Sequence, residues 1–67
     1  MMEVIVNGQP QSCSAAASVS DLLVKLGFEG RPMLVELNAR ALLAREHATT
    51  SLHPGDRIEV IQIVAGG

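Results

Sequence analysis

One stretch of helical periodicity constrains the fold of this chain most. Four apolar residues at spacings i, i+3, i+4 and i+7 form one face of an α-helix: Val19, Leu22, Leu23 and Leu26. Ser18 is a good N-cap, and Asp21 three residues later gives a capping-box pattern. Gly27 suits the left-handed position that ends a helix, with Phe28 folding back on Leu23. A helix of about two turns is unstable alone, so it must rest on a sheet.

The residues before the helix predict a β-hairpin. Residues 3–6 are largely β-branched, and Asn7-Gly8 after them is the strongest short hairpin signal. A second strand is expected at residues 10–14, where Pro10 suits an edge strand or a strand start because it lacks an N–H.

The residues after the helix predict a second group of strands. These strands are expected at residues 33–37, 41–44 and 57–64. Residues 38–40 are turn-like, and residues 45–51 are polar, irregular and long enough for one helical turn. Residues 53–56 fit a type II turn, with Pro54 and Gly55 at its two central positions.

This order of elements predicts an α+β fold. We expect a β-grasp (ubiquitin-like) roll, in which one main helix packs on one face of a mixed sheet of four to five strands. Residues 1–67 are then a single domain, with a flexible C-terminal tail at residues 64–67.

Composition excludes several classes of function. Five basic and seven acidic residues give a net charge of −2, with no basic stripe, so nucleic-acid binding is not expected. No apolar run is long enough to cross a membrane, and no signal-peptide pattern begins the chain. The single cysteine, Cys13, cannot close an internal disulfide, which favours a reducing cytoplasm. Nothing in the sequence demands more than a monomer.

The sequence predicts no catalytic residue and no metal site. His47 and His53 are the only histidines, and neither has another ligand at a tight spacing. Cys13 lacks a neighbouring base, so a small apolar residue in the core is the better interpretation than a nucleophile. A chain of 67 residues also has little room to enclose a substrate pocket, so a carrier or binding module is favoured over an enzyme.

The C-terminal diglycine is the feature that points to chemistry. Gly66 and Gly67 have no side chains, so with Val64 and Ala65 they form a tail that can thread a carboxylate into another protein's active site. ATP can activate the Gly67 carboxylate as an acyl-adenylate, and attack by a sulfur nucleophile then gives a thiocarboxylate.

Several segments carry a resemblance to a known family. They are Val6-Asn7-Gly8, the helix face, Val35-Glu36-Leu37-Asn38, Arg45-Glu46, Leu52 with Pro54-Gly55-Asp56-Arg57-Ile58-Glu59, and Val64-Ala65-Gly66-Gly67. Over its whole length the chain resembles the ThiS/MoaD ubiquitin-like family, which includes the ThiS sulfur carriers of thiamine biosynthesis. The Gly55-Asp56-Arg57-Ile58-Glu59 motif, together with the diglycine, is the more specific part. Ala65 is a small departure, since many relatives place another residue there.

The resemblance implies a set of partners. An E1-like (ThiF-like) adenylyltransferase would use Mg-ATP to adenylate Gly67, and a sulfurtransferase or cysteine desulfurase would supply the sulfur. Thiazole synthase (ThiG-like) would take that sulfur for the thiazole ring of thiamine. The carrier itself would catalyse nothing and bind no cofactor.

Other functions share the same fold and tail. The small subunit of molybdopterin synthase is usually longer, with more helix where this chain has only residues 28–32. A carrier for tRNA thiolation and a ubiquitin-like protein modifier remain open, as does a non-covalent β-grasp binding module. Deleting Gly67 distinguishes the binding module from the other functions, because only the module does not need the diglycine.

Strand alternation predicts a docking face. In the last strand Glu59 is not expected under the helix, so Glu59 and Ile61 point outward while Ile58 and Val60 point inward. The same reasoning for the first and third strands completes an outward cluster of Ile5, Leu34 and Ile61. An exposed apolar cluster beside a reactive tail suggests partner docking, although scattered surface apolar residues need no such explanation.

Overall fold

A mixed five-stranded sheet carries one α-helix on one face; the computed structural model describes residues 1–64. Along the chain the elements are β1 (Met2–Val6), β2 (Gln9–Cys13), α1 (Val19–Lys25), β3 (Met33–Leu37), β4 (Arg40–Leu42), a 3-10 helix (Ala44–Glu46) and β5 (Arg57–Gln62). The strand order is β2-β1-β5-β3-β4. The central pair β1–β5 is parallel and all other pairs are antiparallel. The predicted α+β arrangement is therefore confirmed.

Both ends of α1 form as predicted. At the N-terminus the Asp21 N–H donates to Ser18 Oγ at 3.1 Å, and the Ser18 N–H donates to Asp21 Oδ2 at 2.9 Å. At the C-terminus Gly27 has φ 84°, and the Phe28 N–H donates to the Leu23 carbonyl at 2.9 Å. These bonds satisfy backbone groups that a helix of seven residues leaves free at its ends.

The core lies between α1 and the sheet. Its largest fully buried side chains are Leu22, Ile58, Val4, Val19 and Val35. The inward residues of β1 and β5 alternate with exposed or half-buried ones, as the two-residue period of a strand requires. The sheet therefore has one face covered by α1 and one open face.

The predicted starts of β2 and β4 are each one residue late. Two-residue turns join both hairpins, so Val6 pairs with Gln9 and Leu37 pairs with Arg40. β4 also ends earlier than the predicted residue 44, because the 3-10 helix begins at Ala44. The helical turn expected within residues 45–51 thus starts one residue earlier and is short.

The prediction of a last strand at residues 57–64 is also too long. β5 ends at Gln62, which pairs with Met33, the first residue of β3. Pro32 precedes Met33 and has no N–H to continue the ladder. The last bond there is from the Ile63 N–H to the Pro32 carbonyl, at 3.0 Å.

The turn before β5 matches its prediction. Gly55 has φ 81°, and the Asp56 N–H donates to the His53 carbonyl at 3.1 Å, as a type II turn requires. Within residues 1–64 no helix has the length and apolar character needed to cross a membrane.

Candidate functional site

The central strand of the sheet, β5, is the last element before the predicted tail. β5 lies between β1 and β3, and the chain leaves the sheet after Ile63, whose N–H donates to Pro32. Val64 is 80% exposed, so its side chain is free for contact with another protein. The rest of the predicted tail, Ala65, Gly66 and Gly67, lies outside the described residues.

The open face next to that exit carries an apolar pair. Leu34 of β3 and Ile61 of β5 are directly opposite each other and are 40% and 51% exposed. Ile63 is 53% exposed and falls on the same face as Ile61 by strand alternation. Sequence reasoning missed Ile63, although alternation along the predicted strand would have found it.

The third residue of the predicted docking cluster lies apart from this pair. Ile5 is half-buried and pairs with Arg57, which precedes Ile61 by four residues of β5. Four strand residues span roughly 13 Å. The structure therefore brings Leu34 and Ile61 together, and it places Ile5 at the other end of the open face.

Two carboxylates separate the two ends of the open face. Glu36 of β3 is directly opposite Glu59 of β5. Neither forms an ion pair with another residue among residues 1–64. Like charges opposite each other destabilise a sheet, so this pair is locally unfavourable.

The other candidates from the sequence do not form a site together. His53 is exposed, with Nδ1 3.8 Å from Asp56 Oδ2, and His47 is half-buried, with a buried Nε2 that has no hydrogen-bond partner among residues 1–64. Residues 1–64 contain no cluster of three or more side chains able to hold a metal ion. Cys13 is a free thiol, 2% exposed, in the wall of an open cleft of about 300 Å³ that Lys25 also lines.

Fold and face together define a class of protein: a small β-grasp module of the ubiquitin-like type, with an apolar open face beside the C-terminal exit of its central strand. The chain belongs to the ThiS family, whose sequence profile matches residues 4–67. The predictions of a β-grasp fold and of membership in the ThiS family are thereby confirmed.

Three similar proteins illustrate this membership. The crystal structure of the thiamine biosynthesis protein ThiS from Geobacter metallireducens superposes with a TM-score of 0.83 at 29% identity, covering 98% of this chain and 100% of that one. The sulfur carrier protein ThiS of Escherichia coli (strain K12) is 27% identical, over 98% of this chain and 100% of its own. A thiazole synthase of Paramagnetospirillum magneticum is 30% identical over 98% of this chain, which spans only 20% of that protein's length.

Proposed function

We propose that this protein carries sulfur on the carboxylate of Gly67 and delivers it for the thiazole ring of thiamine. The observation that carries the proposal is the family match, which runs from residue 4 through Gly67. The full-length similarity to the Escherichia coli protein named a sulfur carrier supports the same assignment. A cytoplasmic location is part of the proposal, because Cys13 is a free thiol.

The chemistry needs two steps on the tail, both performed by partner enzymes. An E1-like (ThiF-like) adenylyltransferase binds Mg-ATP, and a Gly67 carboxylate oxygen attacks the α-phosphorus, which releases pyrophosphate. In the second step a persulfide sulfur on a sulfurtransferase or cysteine desulfurase attacks the acyl carbon, AMP leaves with the oxygen, and a thiol reductant cleaves the acyl disulfide that forms. The product is a thiocarboxylate, and the carrier contributes no catalytic side chain to either step.

The proposed receiver of the sulfur is a ThiG-like thiazole synthase. Two relatives that resemble this chain over 98% of its length are themselves named thiazole synthases, although the chain spans only 20% of each. A carrier sequence similar to part of a thiazole synthase supports a functional link between the two activities.

The apolar pair on the open face is the proposed docking surface for the adenylyltransferase. Leu34 and Ile61 lie beside the point where the chain leaves the sheet, so a partner that takes the tail also meets them. Ile63, on the same face as Ile61 by alternation, extends this exposed apolar surface. Ile5, at the far end of the face, is a proposed contact of the outer part of this interface.

Adenylation can be tested by ATP–pyrophosphate exchange with a purified E1-like enzyme. The wild-type chain should support exchange, whereas a variant lacking Gly67 should not, because its carboxylate falls short by about 3.5 Å. Urea unfolding of both chains checks that the variant is folded. Equal exchange with and without Gly67, or none from the wild type with an enzyme active on its own carrier, would contradict the proposal.

A further inference from the structure

Two turn asparagines hold the backbone of β5 from opposite sides. Asn7 follows β1 and has φ 49°, and Asn38 follows β3 and has φ 51°. The Val60 N–H donates to Asn7 Oδ1 at 2.8 Å, and Asn7 Nδ2 donates to the Val60 carbonyl at 3.2 Å. The Arg57 N–H donates to Asn38 Oδ1 at 3.0 Å. The Asn38 amide thus anchors the first residue of the strand, and the Asn7 amide anchors Val60, two residues before its end.

The Asn7 amide takes the place of a missing strand residue. Parallel pairing of β1 with β5 covers only Ile5 with Arg57 and Val6 with Ile58, and the Asn7 N–H donates to the Ile58 carbonyl at 2.9 Å. β1 then turns away into its hairpin, which would leave Val60 without a neighbour on that side. A side-chain amide has both a donor and an acceptor, so it can pair with a peptide group as a strand residue would.

Beyond Val60 the strand pairing becomes one-sided. In the described part of the chain, β5 past this residue pairs with β3 alone, up to the bond from Ile63 to Pro32. Among residues 1–64, Val60 is therefore the last point where β5 is held from the β1 side, four residues before the exposed Val64.

We infer that Asn7 is a positioning residue for activation of the tail: its bridge to Val60 fixes the direction in which β5 leaves the sheet. The inference rests on the proposed function. A strand that has a neighbour on one side only can twist over a wider range than a strand with neighbours on both sides. A rotation of about 10° at Val60 displaces a point four strand residues further on, at Val64, by roughly 2 Å. Misplacement by about 1 Å is enough to slow a positioned reaction up to about 100-fold.

Glycine substitutions at the two asparagines provide a matched test. Asn7→Gly and Asn38→Gly each remove an amide that bonds to β5, and glycine tolerates the positive φ at both sites. ATP–pyrophosphate exchange with the activating enzyme gives kcat and KM for each chain, and urea unfolding gives its stability. Asn7→Asp is a second variant, since it keeps the acceptor for the Val60 N–H and loses the donor to the Val60 carbonyl.

We expect the loss of Asn7 to change kcat and to leave KM nearly unchanged. Asn7→Gly should lower kcat at least about fivefold and leave KM within about twofold, because the docking face is intact while the tail is misdirected. Asn38→Gly should leave both within about twofold at a comparable loss of stability, and Asn7→Asp should lower kcat to an intermediate value. Backbone order parameters at Ile61 and Ile63 should fall in Asn7→Gly only.

Three outcomes would overturn the inference. Equal kcat values for the two glycine variants would show that Asn7 acts only on stability. A rise in KM at constant kcat would place its effect on docking instead of tail direction. A kcat equal to that of the wild type in both Asn7 variants would show that Asn7 has no role in activation of the tail. No exchange from the wild-type chain would instead refute the proposed function, so the two failures are distinguishable.

Discussion

Replacing Ile61 by Asp tests the docking surface on the open face. Complete burial of an isoleucine side chain stabilises by about 1.5–3 kcal/mol. Because 51% of Ile61 remains exposed in the free protein, roughly half of that, about 1 kcal/mol, is available for docking. A carboxylate at this position adds a desolvation penalty of at least about 1 kcal/mol when a partner covers it. The sum of about 2 kcal/mol predicts a rise in KM for adenylation of roughly 30-fold.

Val24 provides the matched control for this substitution. It is also 51% exposed, but it lies on α1, which covers the opposite face of the sheet from Ile61. Val24→Asp places a carboxylate in the last turn of a helix, where the dipole disfavours it, so this variant loses stability as well. Pyrophosphate exchange at varied carrier concentration should show a raised KM for Ile61→Asp and an unchanged KM for Val24→Asp. A KM within twofold of the wild type for Ile61→Asp, or equal shifts in both variants, would refute the docking surface.

Three further predictions concern stability and access. Ser18→Ala should lower the free energy of unfolding in urea by about 1 kcal/mol, because Ser18 Oγ accepts from the Asp21 N–H; a change under about 0.3 kcal/mol would contradict this. Glu59→Lys should raise the free energy of unfolding by roughly 0.5 kcal/mol at low salt, since it places opposite charges across from Glu36; destabilisation would count against the register. The 2% exposed Cys13 thiol should react with a thiol reagent at least about 100-fold more slowly in native buffer than in concentrated urea, and equal rates would show that it is not buried.

The ends of α1 could be predicted from sequence because their determinants are local. Ser18 and Asp21 bond to each other across three residues, and Gly27 supplies the positive φ that lets Phe28 reach back to Leu23. Such bonds depend on residue types at fixed short spacings, which a sequence displays directly.

The strand ends were predicted less well because other strands decide them. β5 stops where β3 begins, and Pro32 at that point has no N–H, although the apolar pattern of the sequence continues to Val64. The β3–β4 turn contains Ala39 at φ 69°, a conformation that alanine rarely adopts, so its two-residue length was not evident.

The candidate site shows the same division between local and distant determinants. Alternation within β5 placed Ile61 outward, but only the register between strands reveals that Leu34 is its direct neighbour and that Ile5 is not. The bond between Asn7 and Val60 joins residues 53 positions apart, and no sequence spacing signals it. The roles of Ala65, Gly66 and Gly67, and docking through Ile5, Leu34 and Ile61, stay predictions.

The most direct test of sulfur carriage is the intact mass of the protein after incubation with an E1-like enzyme, Mg-ATP and sodium sulfide. We expect a mass gain equal to replacement of one oxygen by one sulfur, located in the C-terminal peptide and absent from a variant lacking Gly67. An unchanged mass, with an enzyme that thiolates another carrier in parallel, would contradict sulfur carriage and favour a β-grasp module that binds without covalent chemistry.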